Sequence, residues 1–320
     1  MIINLLLSLV PICISTVLAT LTGGGTLYGV LDCISFIGVL LLFSVAIFIS
    51  GYGKTFCRIF STRKKFKTLD LQELQKTDLA LELGSKILFY TAVLIPILTL
   101  IYTLANYYKT PEALQHMGPN CAVLILSILY LSLFEMIIVT LKAKVRKSVI
   151  LYMADETEKT AGTAQKSSNI KMILGVILFL AVCILYGWIS GIYAWGKGPL
   201  VSLIFDIPFM VIMIIYVLPL VAISENFGLL FGSIKTIFTG QEISVSQKNL
   251  YLNAVKTTVT LNWYGAFSGA ACGWIGMLMN LEDASALPAN LAVSLIPFFY
   301  ATCFNLFLLL VEIRITKAVE

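Results

Sequence analysis

Residues 119–141, PNCAVLILSILYLSLFEMIIVTL, contain a single charged side chain, Glu135. A bilayer core of about 30 Å is crossed by roughly 20 apolar residues in a helix, so this stretch reads as a membrane span with an acid inside it. Seven further stretches have the same character, at 2–21, 30–51, 87–108, 171–195, 199–223, 257–280 and 288–311. A backbone in lipid must satisfy its own hydrogen bonds, so each is expected to be a helix. The alternating segments of about ten residues that build a membrane barrel are absent. Composition leads the same way. The chain is 59% hydrophobic and 12% charged, whereas an ordinary soluble domain carries about 25% charged residues. So little charge cannot cover a water-facing surface, and disorder is excluded by the same figures. The expectation is an all-α polytopic membrane protein of eight spans.

The basic residues orient it. Segments 52–86, 142–171, 224–256 and 312–320 hold 20 of the 22 Lys and Arg, and the opposite connections hold Lys109 and Lys197. Short basic loops stay in the cytoplasm, which places both termini there. The net charge of +5 follows from this topology and gives no reason to expect nucleic acid as a partner. The first span lacks a basic leader and an A-x-A-like cleavage site, so it is kept as a span. Most of the seven cysteines lie in or beside spans, without C-x-x-C spacing, and read as small buried hydrophobes. The single His116 has no partner histidine, and no metal or other cofactor is expected. There is no phosphate-binding loop or nucleophile elbow, so an enzyme is not expected.

The chain repeats itself. Residues 2–147 align with 171–317, and each half reads as two spans, a cytoplasmic loop of roughly 33 residues, two more spans and a basic exit. Asp32 matches Asp206, Ala80 matches Ala254, Ala92 matches Ala266 and Asn106 matches Asn280, all 174 apart. After a shorter external loop the offset is 170, matching Asn120 with Asn290, Ala122-Val123 with Ala292-Val293, and Tyr130 with Tyr300. Four spans per half make the repeats parallel. The organisation expected is a first repeat over 1–150, a cytoplasmic linker over 151–170 and a second repeat over 171–320. The polar run 155–169, DETEKTAGTAQKSSN, marks the boundary. In the first cytoplasmic loop, 66–86 spaces its leucines as a short amphipathic helix, preceded by Arg63, Lys64, Lys65 and Lys67. It reads as an anchor beside anionic headgroups or as a docking site for a partner.

The third and fourth spans of each half resemble the MotA/TolQ/ExbB proton-channel family, and its MotA branch more than the other two. The first half carries Leu104-Ala105-Asn106, Pro111-Glu112-Ala113-Leu114, Gly118-Pro119-Asn120-Cys121-Ala122-Val123 and Ser127-Ile128-Leu129-Tyr130. The second carries Gly269-Ala270-Ala271-Cys272-Gly273, Leu278-Met279-Asn280, Ala286-Leu287, Ala289-Asn290-Leu291-Ala292-Val293 and Tyr300. Phe205-Asp206-Ile207-Pro208 is similar to the segment opening that branch's second span. The likeness covers nearly the whole chain as two copies. It implies a subunit of an ion-driven (proton or sodium) rotary motor or stator in the bacterial cytoplasmic (inner) membrane. Such subunits form a ring, pentameric in the family, around two single-span helices of the MotB, ExbD or TolR kind. Asp32, Asn106, Gly118, Pro119, Asp206, Pro208 and Asn280 are the motif positions carried over.

Candidate ion-pathway residues are Thr99, Ser127, Tyr130, Glu135, Ser268, Ala270, Tyr300 and Thr302. Asn120, Ser127 and Glu135 fall within about 80° around one helix, and an acid within a span is a functional candidate by default. Glu135 lies about six residues from the cytoplasmic end of its span and could instead pair with a loop cation. Gly265, Ser268, Gly269, Cys272, Gly273 and Gly276 form one small-residue face, suited to close helix packing or to lining a path. Asp32 and Asp206 open their spans, as helix caps or as ion-capturing groups. The chain departs from the family where a hydroxyl is common, with Pro96 in one half and Ala270 in the other, and its short loops match no rotor-contacting charge. Two other readings stand beside the motor. One is a secondary transporter of parallel repeats with a site between the halves, for which Pro96, Pro208, Pro219 and Pro297 are the helix-breaking candidates. The other is a non-conducting scaffold.

Overall fold

The computed structural model of the chain describes residues 2–22, 27–61, 70–106, 117–157, 207–239, 243–279 and 287–317. Regular structure among them is entirely α-helical. The first group of helices is α1 (Ile2–Thr22), α2 (Leu27–Val30), α3 (Cys33–Ile49), α4 (Gly53–Ser61), α5 (Leu71–Asn106) and α6 (Met117–Thr157). The second is α7 (Ile207–Ile223), α8 (Phe227–Thr239), α9 (Val245–Met279) and α10 (Leu287–Lys317).

Two stretches are long and apolar enough to cross a bilayer, Cys121–Ala154 in α6 and Leu291–Thr316 in α10. A third candidate is the pair Met210–Ile223 and Phe227–Thr236, which qualifies as one unit bent by 100°. The described residues therefore make an all-helical membrane protein with two to three candidate spans. The first and second expected spans are the shorter apolar helices Leu7–Thr22 and Ser35–Ile49. The third and seventh are the C-terminal parts of α5 and α9, and the fifth, 171–195, lies outside the described residues. Asn262, Trp263, Tyr264, Ser268 and four glycines hold down the apolarity of α9. It can carry them because it is the central helix. α6 and α10 pack most extensively on it, α7 and α1 also touch it, and α5 packs on α6.

Element boundaries recur along the chain. α3, α4 and α5 begin at 33, 53 and 71; α7, α8 and α9 begin at 207, 227 and 245, each 174 later. α6 begins at 117 and α10 at 287, 170 later. Among the described residues two have positive φ, Gly51 (80°) and Glu225 (61°), again 174 apart, in the corners between α3 and α4 and between α7 and α8. The second corner is a Schellman stop, with Asn226 N–H donating to the Val221 carbonyl at 3.1 Å and Glu225 N–H to Ala222 at 2.9 Å. In the first, Gly51 N–H donates to Phe48 at 3.1 Å.

Two boundaries differ from the sequence reading. The amphipathic stretch expected over 66–86 is not a separate short helix: from Leu71 it is continuous with the third span, making α5 one rod. Gly84 does not break it, because the Phe56 ring of α4 fills the space where a Cβ would stand, 2.9 Å away. At the other boundary α6 runs through residue 150 to Thr157, so the basic exit of the first half is helical.

Candidate functional site

Glu135 is buried, 1% exposed, and neither carboxylate oxygen has a hydrogen-bond partner. It lines a cavity of about 760 Å³ between α5, α6 and α9. Ser85 of α5 and Asn253, Thr257 and Tyr264 of α9 line the same space. Toward the N-terminal parts of α5 and α9 and the C-terminal part of α6 the lining becomes charged, with Asp78, Lys142, Arg146 and Lys256. Helical spacing explains the arrangement: from Lys142 to Glu135 is two turns of α6, so both face the same gap, one at its mouth and one at its depth.

The mouth is an ion-pair network. Arg146 reaches Asp78 at 3.1 Å and Glu82 at 3.6 Å, and Lys142 and Lys86 reach Glu82 at 3.3 and 3.2 Å. The Lys86 ammonium, and Lys142 beside it, hold the Glu82 carboxyl below the ordinary carboxylate range. These cations are therefore engaged at the mouth, and the acid at the bottom is left without one. An ionised carboxylate buried without donors is costly. Whatever neutralises Glu135, a proton or a cation, completes the site.

Around this centre the helices are pinned by polar contacts. Ser132 and Ser268 share a hydrogen bond of 2.7 Å across α6 and α9, and Asn253 donates to the Ala143 carbonyl at 3.0 Å. Asn305, which occupies the position of Glu135 in the second half, accepts from Asn262 at 2.9 Å and donates to the Val259 carbonyl at 3.4 Å. The two halves thus differ at this position: one holds a satisfied amide, the other an unsatisfied acid.

The other candidate residues are placed as follows. Tyr130 does not face Glu135. Its hydroxyl donates to the Val30 carbonyl at 2.8 Å and accepts from Asp32 N–H at 2.9 Å, fastening α6 to the turn before α3. Asp32 accepts from Ser35 N–H at 3.1 Å, as a cap of α3. Ser127 is buried and its hydroxyl has no hydrogen-bond partner. Ala270 is fully buried, Thr302 is exposed with its hydroxyl on the Phe298 carbonyl at 2.7 Å, and Tyr300 lies half-buried beside Phe299. Thr99 and Asn106 lie in α5, and Gly118 and Pro119 in the first turn of α6, with no side-chain surroundings described. Pro208 is exposed at the start of α7. Asp206, Asn280 and His116 lie outside the described residues.

The small-residue face is used for packing. Gly273 stands where a Cβ would meet Ser294 of α10, 2.5 Å from its hydroxyl and 3.3 Å from its Cα. Gly269 lies against Pro297, with 3.1 Å to the same imagined atom. Gly265 faces Met136, Met213 and Tyr216 at ordinary contact distance, and Gly276 is buried. Sequence reasoning missed Ser132, Ser85, Asn253, Thr257 and Tyr264. Ser132 lies one turn before Glu135, which is a signal of a kind; the others depend on which helices meet.

No family model, no curated protein and no solved structure matches this chain. The likeness to the MotA/TolQ/ExbB family therefore stands on the motifs quoted above.

Proposed function

We propose that this chain is an ion-handling subunit of the MotA/TolQ/ExbB kind, in which Glu135 is the group that takes up and releases a proton or cation. The observation that carries the reading is the acid itself, buried without a partner at the end of a cavity that leads in from the cytoplasmic ends of α5, α6 and α9. A carboxylate within a span is costly to keep, and one that faces a cavity is by default a candidate for function. The full reading has eight spans as two parallel four-helix repeats, both termini cytoplasmic, in a bacterial inner membrane. The recurrence of helix starts at offsets of 174 and 170 supports the two units. A ring of such units would surround single-span helices of the MotB, ExbD or TolR kind. Those helices supply what this chain lacks on the external side of Glu135, where Ser132 and Ser268 already satisfy each other.

The test is ion flux into vesicles containing the purified chain, with and without a candidate single-span partner, under an imposed potential. Flux is expected to require Glu135 and to be lost in Glu135→Gln. Undiminished flux in that variant would overturn the reading. Covalent modification of Glu135 by a hydrophobic carbodiimide, read by peptide mass, checks the site without depending on transport.

One observation favours a second reading, a secondary transporter. The cavity lies between the two halves, and about 760 Å³ falls within the range of small-molecule sites, about 300–1,000 Å³. Flux that appears only with a particular solute, and without any partner chain, would select it.

A further inference from the structure

The cavity of Glu135 distributes charge and hydrogen-bonding groups in a way that selects among ligands. At its mouth each lining cation is matched. Lys142 reaches Glu82 at 3.3 Å, Arg146 reaches Asp78 at 3.1 Å, and Lys256 reaches Glu312 at 3.5 Å. Lys86 also touches Glu82 but does not line the space. The charge left over is that of Glu135, 1% exposed and with no well-formed hydrogen bond to either oxygen. An anionic solute would have to break an ion pair to be held. A second positive charge would find no second unmatched carboxylate among the lining residues. The complement is a single positive charge.

The polar groups around the acid narrow the class. Thr257 donates its hydroxyl proton to the Asn253 carbonyl at 2.6 Å, and Thr260 donates to the Lys256 carbonyl at 2.9 Å. What the two threonines still offer the cavity is lone pairs. Asn253 has its amide nitrogen on the Ala143 carbonyl at 3.0 Å and keeps its side-chain oxygen as a further acceptor. Tyr264 interacts electrostatically with Glu135, and an aromatic ring beside an acid adds to the hold on a cation. A primary ammonium brings three N–H donors to these acceptors, whereas a quaternary one brings none. A metal cation could take the oxygens, but it leaves the apolar walls Ile138, Val139 and Leu252 uncovered. The cavity of about 760 Å³ is also far larger than an ion with a few waters of about 30 Å³ each. From Glu135 to Lys142, seven residues of α6 rise about 10 Å, which gives room for an apolar chain between the acid and the mouth.

We propose that this cavity binds a primary amine with an apolar body, its ammonium against Glu135 and its body along Ile138, Val139 and Leu252; the proposal rests on the reading of Glu135 as the working acid of the site. Amine and ion then compete for one carboxylate, and a bound amine excludes the ion.

The experiment measures labelled phenylbutylamine by equilibrium dialysis against the unsubstituted chain in lipid discs, with protein-free discs giving the part that only dissolves in lipid. Saturable binding to the chain is expected. The N,N,N-trimethyl analogue and phenylbutyrate are expected to displace it at least about tenfold less well, as the loss of hydrogen bonds to a charged group implies. This series needs no substitution. Binding is also expected to be lost in Glu135→Gln, and to weaken in Leu252→Trp, which fills the apolar part and keeps the acid. Absence of saturable binding, equal displacement by the trimethyl analogue, or unchanged binding in either folded variant overturns the proposal. Ion flux that depends on Glu135, in a chain that binds no amine, would sink this ligand class and leave the proposed function standing.

Discussion

Glu135 combines two properties that rarely coexist in a side chain kept only for structure: it is ionisable, and it is buried with no well-formed hydrogen bond to either carboxylate oxygen, Ser85 being the hydroxyl that shares its cavity. A buried polar group left unpaired costs about 1–3 kcal/mol. Glu135→Leu is therefore expected to raise the thermal midpoint of the purified protein while abolishing flux, a split that separates a working acid from a structural one. A lowered midpoint would mean that the carboxylate has a stabilising partner. The small-residue face offers a contrast within one helix. Gly273→Ala drives a methyl into Ser294, whose backbone is only 3.3 Å away, and is expected to cost about 1–3 kcal/mol. Gly265→Ala meets only ordinary contacts and is expected to be neutral or to gain up to about 1 kcal/mol of helix propensity. Thermal melts of the two variants in one detergent check the difference. Glu135 was legible in the sequence as an acid within a span. That it lacks a partner was not, because pairing depends on neighbours brought in from α5 and α9.

At the scale of elements, the corners and the ion-pair network define how helices stop and how they are tied together. Gly51 has φ of 80° and open space around its Cα. Gly51→Ala is expected to cost about 1–2 kcal/mol through backbone conformation alone, read from the same melts. The second corner reaches the same conformation with Glu225, whose carboxylate lies 2.7 Å from the Lys144 ammonium. A glycine signals such a corner in a sequence; a glutamate does not, so only the first was legible. Continuity of α5 was hidden for a related reason, since Gly84 looks like an interruption until the ring of Phe56 is seen against it. The network at the foot of α5 and α6 makes a pH prediction. The folded state depresses the Glu82 carboxyl below its ordinary value of 4.5, chiefly through Lys86. Its stabilising contribution is therefore present above the ordinary carboxylate range and is lost as the pH falls through the depressed folded value. Because the Glu82 side chain is 41% exposed, solvent screens the effect and it is small. Acid melts of the unsubstituted chain and Glu82→Gln are expected to diverge at neutral pH and converge in acid.

For the whole molecule, hydropathy pointed to an all-helical membrane chain before any contact was known, and the offset of 174 anticipated where helices begin. The relative placement of the halves could not be read that way, since lipid-facing and neighbour-facing apolar residues are written alike. Orientation is testable with Cys33 and Cys57, both exposed at opposite ends of the corner-forming segment. A membrane-impermeant thiol reagent is expected to modify Cys33 from outside intact cells and Cys57 only in inverted vesicles, as read by peptide mass. The reverse pattern would invert the topology. One further feature bears on how such a chain persists over generations. In the first half Glu82 on α5 pairs with Lys142 on α6; at the same places in the second half, Lys256 on α9 pairs with Glu312 on α10. The signs are exchanged. On the proposed reading of the chain as two copies of one unit, a crossover that joined α5 to α10, or α9 to α6, would set glutamate against glutamate or lysine against lysine. On that reading the exchanged signs penalise hybrids of the two units and keep each helix with its own partner.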